Sequence, residues 1–218
     1  MTSRSVRYSS ARAVAPFVAA MAAVVVLSNV LVQFPVRAVL GPVDLADTLT
    51  WGAFTYPIAF LVTDLVNRRL GPTAARRVVV IGFLIAVLLS IALASPRIAI
   101  ASGSAFLVAQ LLDVSVFDRL RAGAWWRAPL ASSALGSLVD TLIFFSLAFA
   151  PAFAMLDLGN EPGSLGFPAP LLGVGPDVPL WISLALGDLI VKGIVALALL
   201  GPYGALRGRE AEPETAAA

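Results

Sequence analysis

The chain has 218 residues, 59% hydrophobic and only 13% charged, against about 25% charged in an average soluble domain. Its formal net charge is +2, and it contains neither cysteine nor histidine. That composition excludes an ordinary soluble domain, disulfides, thiolate chemistry, Cys/His zinc sites and histidine haem ligation. It predicts an all-α integral membrane protein, one domain over residues 1–206 with six transmembrane helices and both termini cytoplasmic.

The predicted helices follow in chain order. A basic start carries Arg4, Arg7 and Arg12, and an apolar run over 16–32, broken only by Ser28 and Asn29, follows as the body of a first helix expected over 16–33. The run is too long for a signal-peptide core, and no small-residue cleavage site follows it. The second helix is expected over 49–66, about 27 Å of apolar chain whose sole charge is Asp64. Arg68, Arg69, Arg76 and Arg77 then surround a Gly71–Pro72 turn, the pattern of a cytoplasmic loop. A third helix, 77–94, is read as lipid-facing scaffold. A tight Ser95–Pro96 turn leads to a fourth, 97–117, with Gln110 and Asp113 inside it. A basic loop with Trp125 and Trp126 precedes a fifth, 129–150, carrying Ser133, Ser137 and Asp140 on one face. A Gly- and Pro-rich connection, 151–179, has no Lys or Arg and is expected to be an outer loop or lid. The sixth helix, 180–200, holds Asp188 and Lys192, and 207–218 is expected to be a disordered cytoplasmic tail. In this topology twelve of fifteen basic residues lie inside, Arg37 and Arg97 lie outside, and Lys192 is in the membrane.

Ionisable groups inside a bilayer cost on the order of 3 kcal/mol each, so they mark function or pairing. Asp64 and Asp113 lie near the inner helix ends and are gating or coupling candidates. The bland alternative for Asp64 is an i,i+4 pair with Arg68. Asp140 sits mid-helix beside hydroxyls. Asp188 and Lys192, four apart, suit an ion pair that is either structural or opened by a substrate. Asn29 and Gln33 share a face of the first helix. Trp51 and Phe54 fit an interfacial belt or a stacking platform. By these residues alone the chain is a small-solute transporter with a polar core. No metal site, cofactor or catalytic residue is expected. The basic residues are explained by topology, without a nucleic-acid partner. An intramembrane Ser–Lys enzyme using Ser133 or Ser137 with Lys192 is the remote competitor.

Five segments in order resemble the queuosine precursor transporter family, a branch of the vitamin uptake transporter group. They are SNVLVQFPV (28–36), TWGAFTYPIAFLVTDLVNRRLGPTAARR (50–77), AQLLDVSVFDRLR (109–121), WWRAPLASSALGSLVDTLIFFSLAF (125–149), and GDLIVK (187–192) with the PYGAL that ends its helix. The resemblance implies a bacterial inner-membrane, multi-pass importer of 7-cyano-7-deazaguanine or 7-aminomethyl-7-deazaguanine for queuosine salvage. It implies substrate-binding candidates at Asn29, Gln33, Trp51, Phe54, Arg97, Gln110, Asp140, Asp188 and Lys192. Related sequences carry an amide where this chain has Ser137. The alternative reading is a binding subunit of a partner-energised uptake system, and GPTAARR lacks the Gly-Lys-Ser/Thr of a phosphate loop. The expected partners are the deazaguanine, the lipid bilayer and a second copy of the chain; for that homodimer no particular residue argues.

Overall fold

The computed structural model of the chain describes residues 3–41, 43–47, 49–93, 95–157 and 165–208. The tail from Arg209 onward, and Glu161 in the long connection, lie outside the described residues.

Seven helices account for most of the described chain. They are α1 (Ser3–Leu31), α2 (Trp51–Thr55), α3 (Ile58–Leu70), α4 (Pro72–Leu93), α5 (Pro96–Leu120), α6 (Arg127–Phe149) and α7 (Leu180–Leu206). Five of them, within α1, α4, α5, α6 and α7, are long and apolar enough to cross a membrane. This is a multi-pass membrane protein. Several helices run beyond their expected bounds, α1 from Ser3 rather than 16, α4 from Pro72 rather than 77 and α7 to Leu206 rather than 200, because interfacial residues extend helices past their apolar runs, while other ends fall one or two residues short.

The second helix departs from expectation. It is not continuous over 49–66 but breaks at Tyr56–Pro57 into the short α2 and the 13-residue α3. Pro57 has no N–H for the Ala53 carbonyl, and its ring crowds that position. The chain passes the break on tighter turns, Ala59 N–H to Tyr56 O at 3.0 Å and Phe60 N–H to Pro57 O at 3.1 Å. Gly71, at φ +83°, closes α3 in a conformation that costs a Cβ-bearing residue energy.

Two small hairpins depart from a purely helical reading. β1 (Val39–Leu40) pairs antiparallel with β2 (Val43–Asp44), and β3 (Pro168–Pro170) with β4 (Asp177–Pro179). The second hairpin and short 3₁₀ turns at Pro151–Leu156 and Leu171–Gly173 occupy the connection expected to be loop.

Packing follows residue size. α5 and α6 make the most extensive helix–helix contact, with Ala101, Ala105 and Ala109 buried on α5 and Ser132, Ser133 and Gly136 on α6. Small side chains let transmembrane backbones approach closely. At Gly136 a Cβ would stand 2.6 Å from Phe60 Cε1, so α6 and α3 meet there with no room for a methyl. A core of Met21, Val25, Ala59, Val66, Val78, Val79, Phe106 and Val114 joins α1, α3, α4 and α5. Helix α4 is therefore not scaffold on every face. It buries Ala75, Val78 and Val79, while Leu84 and Leu88 stay exposed on the lipid side.

Candidate functional site

The first polar centre lies between α6 and α7, at the α2–α3 break. Lys192 Nζ is 2.7 Å from Asp140 Oδ2 and 2.5 Å from Asp188 Oδ2. It donates a third hydrogen bond to Thr141 Oγ1 at 3.1 Å. An ammonium has three N–H donors, and here each has an acceptor. Thr141 passes its own hydroxyl proton to Asp188 Oδ2 at 2.8 Å, and Tyr56 Oη–H donates to Asp140 Oδ1 at 3.1 Å. The Tyr56 ring centroid is 5.6 Å from Nζ, in cation–π range. The expected i,i+4 pair of Asp188 and Lys192 thus exists, but Lys192 also reaches across to Asp140 on the neighbouring helix. Asp140 and Lys192 are buried, whereas Asp188 is partly open.

Hydrophobic residues pack against α7 next to this centre, at Gly187. A Cβ at Gly187 would lie 3.8 Å from both Leu172 Cδ2 and Leu49 Cδ2. Leu172 sits at φ +52°, a left-handed conformation unfavourable for a side chain with a Cβ. Its N–H donates to Ser183 Oγ on α7 at 2.8 Å. The connection expected to act as a lid does place a side chain against α7, one residue before Asp188.

The second polar centre joins α3 to α5 and α6. Asp64 and Asp113 lie within interaction range of each other and are 1% and 0% exposed. Two hydrogen bonds bracket them: Thr63 Oγ1–H to Gln110 Oε1 at 2.6 Å and Asn67 Nδ2–H to the Val114 carbonyl at 2.9 Å. Ser132 Oγ–H donates to Asp64 Oδ1 at 3.1 Å. Neither Asp113 oxygen has a hydrogen-bond partner. The interfacial pair of Asp64 with Arg68 does not form. Arg68 instead donates to Tyr203 Oη at 3.2 Å and to the Arg121 carbonyl at 2.9 Å.

The other candidates are spread out. Arg97 is buried and donates to the Leu147 carbonyl at 2.8 Å, the Ala150 carbonyl at 2.7 Å and Asp157 Oδ1 at 2.9 Å. It clamps the start of α5 to the end of α6, where carbonyls lack helical partners. Gln110 is fully buried, its Oε1 engaged by Thr63 and its Nε2 without a partner. Asn29 donates to the Val25 carbonyl at 2.8 Å, and Gln33 is exposed at the end of α1. Trp51 and Phe54 stand 5.7 Å apart at 46°. Trp51 also lines an open groove with Leu31, Phe34, Pro35 and Arg37.

Sequence reasoning gave little weight to Tyr56, Thr63, Asn67 and Thr141. Their signals were position: Tyr56 precedes the helix-breaking proline, Thr63 and Asn67 flank Asp64, and Thr141 follows Asp140.

A family model described as "Putative vitamin uptake transporter" matches residues 50–95 and 88–206. The "Queuosine precursor transporter" of Escherichia coli strain K12 is 40% identical over 147 residues, 58% of this chain and 64% of that protein. The "Probable queuosine precursor transporter" of Haemophilus influenzae is 38% identical over 153 residues, 58% of this chain and 65% of that protein. The corresponding "Probable queuosine precursor transporter" of Bacillus subtilis is 26% identical over 184 residues, 72% of this chain and 70% of that protein. The matched region therefore spans slightly less than two thirds of the first two relatives. No solved structure matches the chain.

Proposed function

This chain belongs to the vitamin uptake transporter family, and we propose that it imports a 7-deazaguanine precursor of queuosine across a bacterial inner membrane. The observation that carries the reading is the Asp140–Lys192–Asp188 centre beside a broken helix. Broken transmembrane helices commonly border transporter binding sites, because irregular backbone in a membrane is tolerated where it faces protein or a cavity. The printed names of three relatives supply the substrate class.

A guanine-like edge presents adjacent N–H donors, and a carboxylate presents two acceptor oxygens in matching geometry. Asp140 and Asp188 are the residues that would read this edge. Lys192 bridges the two carboxylates while the site is empty, offsetting one of their two charges, and must re-pair when the base arrives. Tyr56 would hold Asp140 in orientation. Trp51 and Phe54 offer π-faces at the entry side, and Leu49 and Leu172 would have to part to admit a ring. Gln110, Asn29, Gln33 and Arg97 are retained as substrate-binding candidates of lower rank, since each has a contact within the fold. Helices α2 and α3 together run over 51–70, about 30 Å of chain, and would make a sixth crossing with both termini cytoplasmic.

The test is uptake of labelled 7-cyano-7-deazaguanine by bacteria unable to make it, with this chain as their sole importer and excess guanine as competitor. Saturable uptake that falls when Asp140, Asp188 or Lys192 is neutralised is expected. Absent uptake by a correctly inserted protein, or full uptake by all three variants, would overturn the reading.

A further inference from the structure

The Asp64–Asp113 pair has no role in substrate recognition as proposed above, yet it is among the most buried polar groups described. The two carboxylates lie within interaction range between α3 and α5, and the Thr63–Gln110 and Asn67–Val114 hydrogen bonds join the two helices on either side of them. Neither forms an ion pair among the described residues. Asp64 accepts from Ser132, and among the described residues neither Asp113 oxygen has a partner within hydrogen-bond distance.

The surrounding charges are committed elsewhere or exposed. On α3, Arg68 engages Tyr203 and Arg121, and Arg69 donates to the Leu206 carbonyl. On α5, Asp118 pairs with Arg121 at 3.2 Å. On α6, Arg127 lies over Trp126 and Asp140 holds Lys192. On α7, Lys192 is saturated by Asp140, Thr141 and Asp188, Tyr203 Oη accepts from Arg68, and Arg207 lies over Trp125. On α1 and α4, Arg12, Arg76 and Arg77 are exposed. Two carboxylates that share a buried site cannot both ionise without a cation.

A separate feature reaches Asp64, one member of the pair. A narrow cavity of about 10 Å³, lined by Pro57, Phe60, Asp64, Ser133, Ser137 and Tyr203, has room for about one water. Ser137 Oγ is 3% exposed at the residue level, has no hydrogen-bond partner, and lies on this cavity. It is one helical turn from Asp140. The cavity is far too small for a heterocycle, and Asp64, Ser133, Ser137 and Tyr203 supply polar groups in walls that are otherwise apolar.

We infer that Asp64 and Asp113 form a proton-binding site, reached through this water-sized cavity, that couples substrate uptake to proton movement. The pair carries a proton in the state described and gives it up when α3 and α6 part and water reaches both carboxylates. Ser137 and a water in the cavity link the pair to the Asp140–Lys192 centre, so the two sites respond to the same helix movement.

This inference rests on the importer reading, and the experiment separates the two. Purified protein in liposomes is given labelled 7-cyano-7-deazaguanine in two assays. One is exchange against internal unlabelled base without any gradient, and the other is accumulation driven by an imposed pH gradient. Wild type should exchange, and one-proton coupling should raise its steady accumulation ratio about tenfold per pH unit, acid outside. Asp113→Asn, which mimics the protonated group, should keep exchange and lose the response to the gradient, and Asp64→Asn provides a second variant. Exchange with no response of wild type to pH, or a response retained by both variants, overturns the proton site. Loss of exchange by wild type overturns the substrate reading instead. An infrared measurement needs no substrate: a protonated-carboxyl band should be present in wild type and lost in the Asp64→Asn/Asp113→Asn protein. An unchanged spectrum would sink the proton site on its own.

Discussion

The two polar centres hold the same chemical problem and solve it differently. Between α6 and α7, two carboxylates surround one ammonium, and hydroxyls of Tyr56 and Thr141 take up the remaining bonding. Between α3 and α5, two carboxylates meet, Ser132 donates to one of them, and neither has an ion-pair partner among the described residues. The first centre holds a cation of the protein itself, which offsets one of its two carboxylate charges. The second is balanced only if something mobile joins it. A buried group that carries its own counter-charge is suited to recognition, because a ligand can compete for it. A buried group without one is suited to binding and releasing a small cation, the proton being the smallest.

The contrast can be broken at the lysine. Lys192→Met leaves Asp140 and Asp188 buried together without a cation, and it should cost about 3–5 kcal/mol of stability and abolish uptake. Thermal unfolding in detergent measures the first effect. Adding Asp140→Asn should recover much of the stability and none of the uptake. Gly136→Ala strikes both centres at once, since its methyl would meet Phe60 on the helix that carries Asp64 and follows the Tyr56 break. A loss of about 1–3 kcal/mol is expected from overpacking, read by the same unfolding assay. Tyr56→Phe removes one donor from Asp140 and should weaken substrate binding about fivefold, near 1 kcal/mol, in a fold that remains intact. Equilibrium binding of labelled precursor to the purified variant checks it. Asp118→Asn removes an exposed pair with Arg121, 3.2 Å apart at the end of α5. It should change stability by less than about 0.5 kcal/mol and leave uptake as it was, which makes it the control for the buried pairs.

The helices were legible where the chain is apolar over more than eighteen or so residues, because hydropathy alone dictates a span. The break at Pro57 was written in the sequence as well. It was passed over because proline is common within transmembrane helices, and only the neighbouring helices decide whether the chain kinks or splits. A contact within one helix was legible in the Asp188–Lys192 spacing, although the same spacing at Asp64 and Arg68 forms no pair. What periodicity cannot give is which helix lies opposite. Asp140 reaching Lys192, and Asp64 facing Asp113 rather than Arg68, depend on how α6 packs on α7 and α3 on α5. Arg97 shows the same limit. Its position near a helix end suggested an entry site, and the carbonyls it clamps lie about fifty residues further along the chain.

That clamp has a consequence for how the protein is made. Arg97 leaves the ribosome with α5, well before Leu147, Ala150 and Asp157, its partners at the far end of α6. Until they emerge, a guanidinium at the edge of the membrane has no such acceptors, and placing it in the hydrocarbon is unfavourable. Until then the first turn of α5 must keep its guanidinium in reach of water at the membrane edge, and it takes its final place only once α6 has been synthesised and turned back. The two helices then enter their final contact together, so the most tightly packed pair in the molecule is also one whose assembly is timed by a single arginine.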